Sequence, residues 1–158
     1  MRAWAASDRE ALATLANNPK IAANLRDGFP SPYSIEDAER FLARAAVPNN
    51  FAIEVDGGAV GGIALMRHGD VERLSAELGY WLGEPFWGRG IMTQVVRAVT
   101  DLAFTTLGLI RVYAMPYATT AGSIRVLEKA GFVCEGRLRR SVIKNGQVLD
   151  QLMYADVR

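Results

Sequence analysis

The residues that could do chemistry begin with a glycine turn, Trp87-Gly88-Arg89-Gly90, placed between a strand-like stretch and a strongly helical one. Such a turn is a general anion-binding device. The first N–H groups of a helix lack partners, and the helix dipole adds roughly half a positive charge at that end. Gly88 and Gly90 have no Cβ to keep phosphate oxygens away, and Arg89 offers a positive charge nearby. No Lys-Ser/Thr pair follows, which excludes a nucleotide P-loop. Thr93 stands where a dinucleotide fingerprint needs its last glycine, and the preceding strand belongs to a meander rather than a βαβ unit. On the turn alone, a phosphate cradle and a tight loop kept for geometry both remain open.

Other reactive types read more quietly. His68, the only histidine, ends a strand beside a turn; a surface or turn role is expected, and no histidine cluster for a metal can form. Cys134, the only cysteine, rules out an internal disulfide and reads as a buried packing residue. Arg137, Arg139 and Arg140 could approach an acidic substrate, although a solvated face accounts for them too. No metal site is expected.

The elements that must position these residues follow from periodicity. Ser7-Asp8-Arg9-Glu10 reads as a capping box that opens a helix running to about Asn17. A short turn or helix covers residues 21–25, and Phe29-Pro30-Ser31-Pro32 is a stiff extended link. Ser34 opens a further helix with Ala38, Phe41, Leu42 and Ala45 on one face. Strands are expected at residues 51–55 and 60–66 around the hairpin turn Asp56-Gly57-Gly58. A third strand covers 73–82, with Ala76, Leu78, Tyr80 and Leu82 on one face and Ser75, Glu77, Gly79 and Trp81 on the other. The helix after the glycine turn carries Ile91, Val95, Val99, Leu102 and Ala103 on one side. A strand at 110–115, a helix at 120–130 ended by Gly131, and a hairpin of 132–143 and 148–157 complete the chain. Helices, an antiparallel meander, helix, strand, helix and hairpin make an α+β fold, a mixed sheet covered by helices.

The bulk numbers fit one domain over residues 1–158, since 158 residues leave no room for two full cores. With 50% hydrophobic and 22% charged residues, disorder is not expected. A net charge of +1 gives no case for nucleic acid or an anionic membrane as the main partner. The charged N-terminus is unlike a signal peptide, and no apolar run is long enough to span a bilayer, so a cytoplasmic location is expected.

Two segments in order carry a resemblance. Glu77-Leu78-Gly79-Tyr80-Trp81-Leu82 runs into Pro85-Phe86-Trp87-Gly88-Arg89-Gly90-Ile91-Met92-Thr93, and Ser123-Ile124-Arg125-Val126-Leu127-Glu128-Lys129-Ala130-Gly131-Phe132 follows downstream. Together they resemble the GNAT superfamily of N-acetyltransferases, in particular its ribosomal-protein-alanine acetyltransferase (RimJ/RimL) branch. Glu135-Gly136-Arg137-Leu138-Arg139 and the stretch from Asp150 to Tyr154 extend the likeness over nearly the whole chain. The resemblance implies the acyl-CoA N-acyltransferase fold, a mixed, mostly antiparallel sheet splayed between the strands near 77–82 and 110–115. It implies acetyl-CoA as co-substrate in that wedge. The pantetheine chain would run along Leu78, Tyr80, Trp81 and Leu82, and the pyrophosphate would sit on Trp87, Gly88, Arg89, Gly90, Ile91, Met92 and Thr93. Thr120 and Ser123 would stand at the second helix. Departures are Trp87 where many relatives have Gln or Arg, and Met92 in place of a small residue, which could crowd the loop. Thr120 replaces the usual Asn, and Leu127 stands where other branches carry a catalytic tyrosine.

The same resemblance makes Glu77 the candidate base and Ser123 the donor to the departing sulfur, with Tyr113 and Tyr117 as reserve donors. Glu77 also reads as an ion-paired strand residue, and Ser123 as a helix serine bonding the backbone. At pH 7 a lysine amine with a pKa of about 10.4 costs on the order of 4.6 kcal/mol to deprotonate, whereas an α-amine near 8 costs about 1.4. A modest base acting through water would therefore suffice for a protein N-terminus. The expected activity is acetyl transfer to a primary amine by direct attack. A protein α-amine is one acceptor and a small-molecule amine (polyamine, amino acid or antibiotic) the alternative. A catalytically weak acyl-CoA-binding regulatory module is the rival class. A homodimer is left open.

Overall fold

The computed structural model describes residues 1–158. Its elements are helices α1 (Arg9–Ala16), α2 (Pro19–Ala22) and α3 (Ile35–Ala45), strands β1 (Asn50–Val55), β2 (Gly58–Arg67) and β3 (Ser75–Leu82), and helix α4 (Ile91–Thr105). Strand β4 (Arg111–Ala114), helix α5 (Ala121–Ala130) and the hairpin β5 (Val133–Lys144) and β6 (Gln147–Val157) follow. The strands form one sheet in the order β1-β2-β3-β4-β6-β5, with β3 and β4 parallel and the β1/β2, β4/β6 and β5/β6 pairs antiparallel. This is the mixed, helix-flanked α+β architecture that the periodicity implied. Two compact units divide the chain, Met1–Ala64 with Tyr80–Ile91, and Leu65–Gly79 with Met92–Arg158.

In the first unit, α1 and α3 close a core of Leu12, Ala16, Tyr33 and Ala38, with Trp4, Phe29, Phe41, Leu42 and Trp81 packed around it. Ser34 caps α3 as expected: its hydroxyl accepts the Asp37 N–H at 3.2 Å, and Asp37 accepts the Ser34 N–H at 2.9 Å. The box expected at Ser7 is replaced. A 3₁₀ turn over Ala6–Asp8 precedes α1, and Asp8 reaches back to accept the Ala5 N–H at 2.9 Å. The cause is Arg2, whose guanidinium donates to both Asp8 oxygens at 2.7 Å and holds a carboxylate that is only 5% exposed. The β1–β2 turn has Asp56 at φ 51° and Gly57 at φ 82°, the left-handed pair a two-residue hairpin needs. Gly61 lies so close to β3 that a Cβ there would meet the Trp81 carbonyl oxygen at 2.4 Å, and the Gly83 N–H donates to the Val60 carbonyl at 2.8 Å.

In the second unit, Val96, Val99, Ala103, Val112 and Leu127 are fully buried. The α4 stripe is rotated from the one expected: Met92, Val96, Val99, Thr100 and Ala103 face the core, while Ile91, Val95 and Leu102 flank it half-buried. Gly131 ends α5 at φ 104°, its N–H donating to the carbonyls of Leu127 and Glu128. Asn145 and Gly146, at φ 49° and 74°, close the β5–β6 hairpin. Cys134 is exposed rather than buried, because β5 is the edge strand and its residues are open to solvent along most of its length.

The Arg2 guanidinium holds the Asp8 carboxyl below its ordinary pKa of 3.8. That contribution to stability is complete above the ordinary value and is lost as pH falls through the lower folded-state one. Asp8→Asn is expected to lower stability by about 1–3 kcal/mol at pH 7. The gap to wild type should narrow below about pH 4 in thermal melts taken from pH 7 to 3.

Candidate functional site

The site builds from β3. Its parallel ladder with β4 pairs Ser75 with Arg111, Ala76 with Val112 and Glu77 with Tyr113, and stops there, while β3 continues to Leu82. Alternation buries Ala76 and Leu78 on one face and leaves Ser75, Glu77 and Gly79 half-buried on the other. Cα partners in a parallel ladder project to the same face, so Glu77 and Tyr113 are side by side at its last rung.

His68 joins them. Its N–H donates to the Ser75 carbonyl at 3.2 Å, and its Nε2 shares a hydrogen bond of 2.8 Å with the Tyr113 hydroxyl. The two rings stack at 5.8 Å and 8°. His68 does stand in the turn segment after β2, half-buried, but its bond to Tyr113, which the sequence offered only as a reserve donor, was not expected. Arg111 pairs with Glu135 at 2.9 and 2.5 Å, and its guanidinium lies 5.7 Å from the Tyr113 ring centre. That pairing holds the Glu135 carboxyl below its usual range.

At the far end of β3 the chain enters the glycine turn through a 3₁₀ turn, Glu84–Phe86, with Pro85 in its first positions. Glu84 is held by Lys20 and by the Asn18 amide, which donates at 2.7 Å; these partners keep its carboxyl low. The Trp87 indole N–H donates to the Leu82 carbonyl at 2.7 Å, so this tryptophan clamps the turn to the strand end. Gly88 and Gly90 take φ values of 73° and 76°, with open space where a Cβ would lie. Both are exposed, as is Arg89, whose guanidinium stands 5.5 Å over the Phe86 ring. Two exposed left-handed glycines thus stand immediately before the first turn of α4.

The remaining expected residues sort by side chain. Met92 does not crowd the loop: it is 7% exposed and belongs to the α4 core stripe. Ile91 and Thr93 are half-buried in the first turn of α4. Trp81 packs against Phe29 at 5.9 Å in the α1/α3 core, leaving its backbone as what it can offer a ligand. Leu78 and Leu82 are buried and Tyr80 is half-buried. Thr120 stands at the N-cap of α5 without a side-chain cap bond, its N–H donating to the Tyr117 carbonyl at 2.9 Å. Ser123 is half-buried in the first turn of α5, and Tyr117 is buried. Tyr154, whose hydroxyl donates to Glu128 at 3.0 Å, is pushed up to about 12 by burial and that carboxylate. No group of histidine, cysteine and carboxylate side chains is placed to hold a metal ion, and no helix is long and apolar enough to cross a membrane.

A family model described as "Acetyltransferase (GNAT) domain" matches residues 1–133. Among curated proteins, "Probable N-acetyltransferase YjcK" of Bacillus subtilis is 46% identical over 81 residues, covering 51% of this chain and 45% of that protein. "Putative ribosomal N-acetyltransferase YdaF" of the same organism is 36% identical over 100 residues, covering 63% and 54%. The chain thus spans about half the length of the first of its curated relatives. The Escherichia coli spermidine N(1)-acetyltransferase is 27% identical over 137 residues, covering 84% and 72%. Among solved structures, Mycobacterium smegmatis RimJ in complex with CoA-disulfide is 26% identical, with a TM-score of 0.83 over 99% of this chain and 80% of that one.

A buried Met92 gives a direct check on the corrected stripe. Met92→Ala is expected to cost about 2–5 kcal/mol, as for a buried methionine. A loop-facing side chain would instead leave the denaturant midpoint nearly unmoved.

Proposed function

The chain belongs to the GNAT acetyltransferase family, and on that footing we propose that it transfers the acetyl group of acetyl-CoA to a primary amine by direct attack. The observation that carries the reading is the β3/β4 ladder ending at Glu77 and Tyr113 while β3 runs on to Leu82. An extended pantetheine amide chain is complementary to strand backbone, and residues 78–82, past the last rung with β4, are the ones this reading gives it. The exposed left-handed glycines at 88 and 90 support the pyrophosphate role of residues 88–93, with amides and the α4 dipole acting together. Met92 contributes there through its backbone, since its side chain is spent on the core.

In this reading Glu77 takes one proton from the ammonium through water, and the neutral amine then bonds to the thioester carbon. As the C–S bond breaks, the nitrogen gives up its second proton and the departing sulfur takes one up, leaving an amide and the CoA thiol. The oxyanion is met by β3 N–H groups, and Ser123 donates to the leaving thiolate. No strong base is needed if the acceptor is an α-amine, whose proton comes off at far lower cost than that of lysine. This, with the likeness to YdaF, favours a protein N-terminus as acceptor. The likeness to a spermidine acetyltransferase is the observation behind the second reading, a small polyamine.

CoA-thiol release should be measured with acetyl-CoA against N-terminal peptides, polyamines, amino acids and aminoglycosides. Peptide α-amines are expected to lead. Turnover confined to polyamines would replace the first acceptor by the second, and acetyl-CoA binding without turnover of any amine would favour a regulatory module. Glu77→Gln is expected to lower kcat/KM at pH 7 by about a hundredfold. An unchanged rate and pH profile would make Glu77 structural.

A further inference from the structure

The hydrogen bond between His68 and Tyr113 has no part in the roles assigned above. His68 follows β2 and bonds the Ser75 carbonyl of β3, yet its ring reaches Tyr113 on β4 at 2.8 Å. β3 lies between those strands, so the bond crosses β3. It does so on the face that carries Ser75 and Glu77, because Tyr113 is the Cα partner of Glu77 and shares its face. Ser75 is small enough to be bridged. The crossing falls at the last rung before the ladder ends. On the same face Met66 reaches toward Gly79, its terminal methyl 3.2 Å from where a Cβ would stand. Glu77 is therefore flanked by the imidazole–phenol bridge on one side and by Met66 over Gly79 on the other.

Near-parallel rings at 5.8 Å and a short hydrogen bond leave the phenol little freedom. Glu72, itself exposed, stands 3.9 Å from the other imidazole nitrogen, beyond hydrogen-bond distance.

We propose that His68 is a positioning residue for acetyl transfer, fixing the Tyr113 hydroxyl across β3 so that a polar wall stands beside the Glu77 carboxylate where the acceptor amine arrives. The proposal rests on the reading of Glu77 as the base. It makes Tyr113 a fixed part of the acceptor side rather than a reserve donor to the thiolate. Its effect falls on the amine and not on acetyl-CoA, whose assigned contacts lie further along β3 and at the glycine turn.

The test is a double-mutant cycle of His68→Ala, Tyr113→Phe and both together, with His68→Gln as the conservative variant, in the thiol-release assay with the best amine found. Each single change is expected to lower kcat/KM for the amine by about five- to tenfold, the weight of one hydrogen bond. The double variant should be no worse than the singles, and His68→Gln, whose amide can meet the same hydroxyl, should recover at least half of the loss. The apparent KM for acetyl-CoA should stay within twofold. Tyr113→Phe keeps the ring packing, so it reads the hydroxyl even if His68→Ala fails to fold. Multiplying losses in the double variant, or a KM for acetyl-CoA that rises with them, overturn the role of His68 while leaving Glu77 in place. A wild-type protein that turns over no amine overturns the parent reading and this one with it.

Discussion

A parallel ladder of three rungs sets the geometry on which the remaining assignments rest. β3 and β4 are paired from Ser75–Arg111 to Glu77–Tyr113 and no further, and β3 runs on for the rest of its length. The far end of β3 is held elsewhere: Gly61 admits the Trp81 carbonyl where any side chain would collide, and Gly83 bonds Val60. The stretch of β3 past that last rung is the one the proposed function gives to the pantetheine chain. Glu77, the proposed base, and Tyr113 are Cα partners at that last rung.

The glycine turn is a second constraint that the strand end imposes. Leu82 finishes β3 with a carbonyl that the Trp87 indole takes up, and the chain must then reverse into α4. Positive φ at Gly88 and Gly90 makes that reversal cheap. Trp87 thus has a structural task of its own, tying the turn to the strand end. Met92, large for the start of such a helix, is accommodated because α4 is rotated so that its side chain fills the core.

Much of this was legible in the sequence, for physical reasons that can be named. Strand alternation placed Ala76 and Leu78 inward and Glu77 outward, and the turn pairs Asp56-Gly57 and Asn145-Gly146 marked both hairpins. Two motifs in order carried the family. What failed were properties set by distant partners. Asp8, not Ser7, organises the first helix because Arg2 grips it, and no local pattern announces a guanidinium arriving from the N-terminus. Cys134 looked like a core thiol until β5 proved to be an edge strand. His68 stands in the turn segment where it was expected, but its bond to Tyr113 could not be foreseen because that partner is on a strand far along the chain. The α4 stripe was misjudged by about one position, since Ile91 and Met92 are equally apolar and only packing chooses between them.

The central claim is that the part of β3 beyond β4 and the amides of the glycine turn together receive acetyl-CoA. Amide hydrogen exchange with and without saturating acetyl-CoA tests it residue by residue. Slowed exchange is predicted at residues 78–82 and 88–93, with the amides of the β1–β2 turn and the β5–β6 hairpin unchanged. Unaltered exchange at both segments in a protein that binds acetyl-CoA, or protection concentrated anywhere else, would contradict the account.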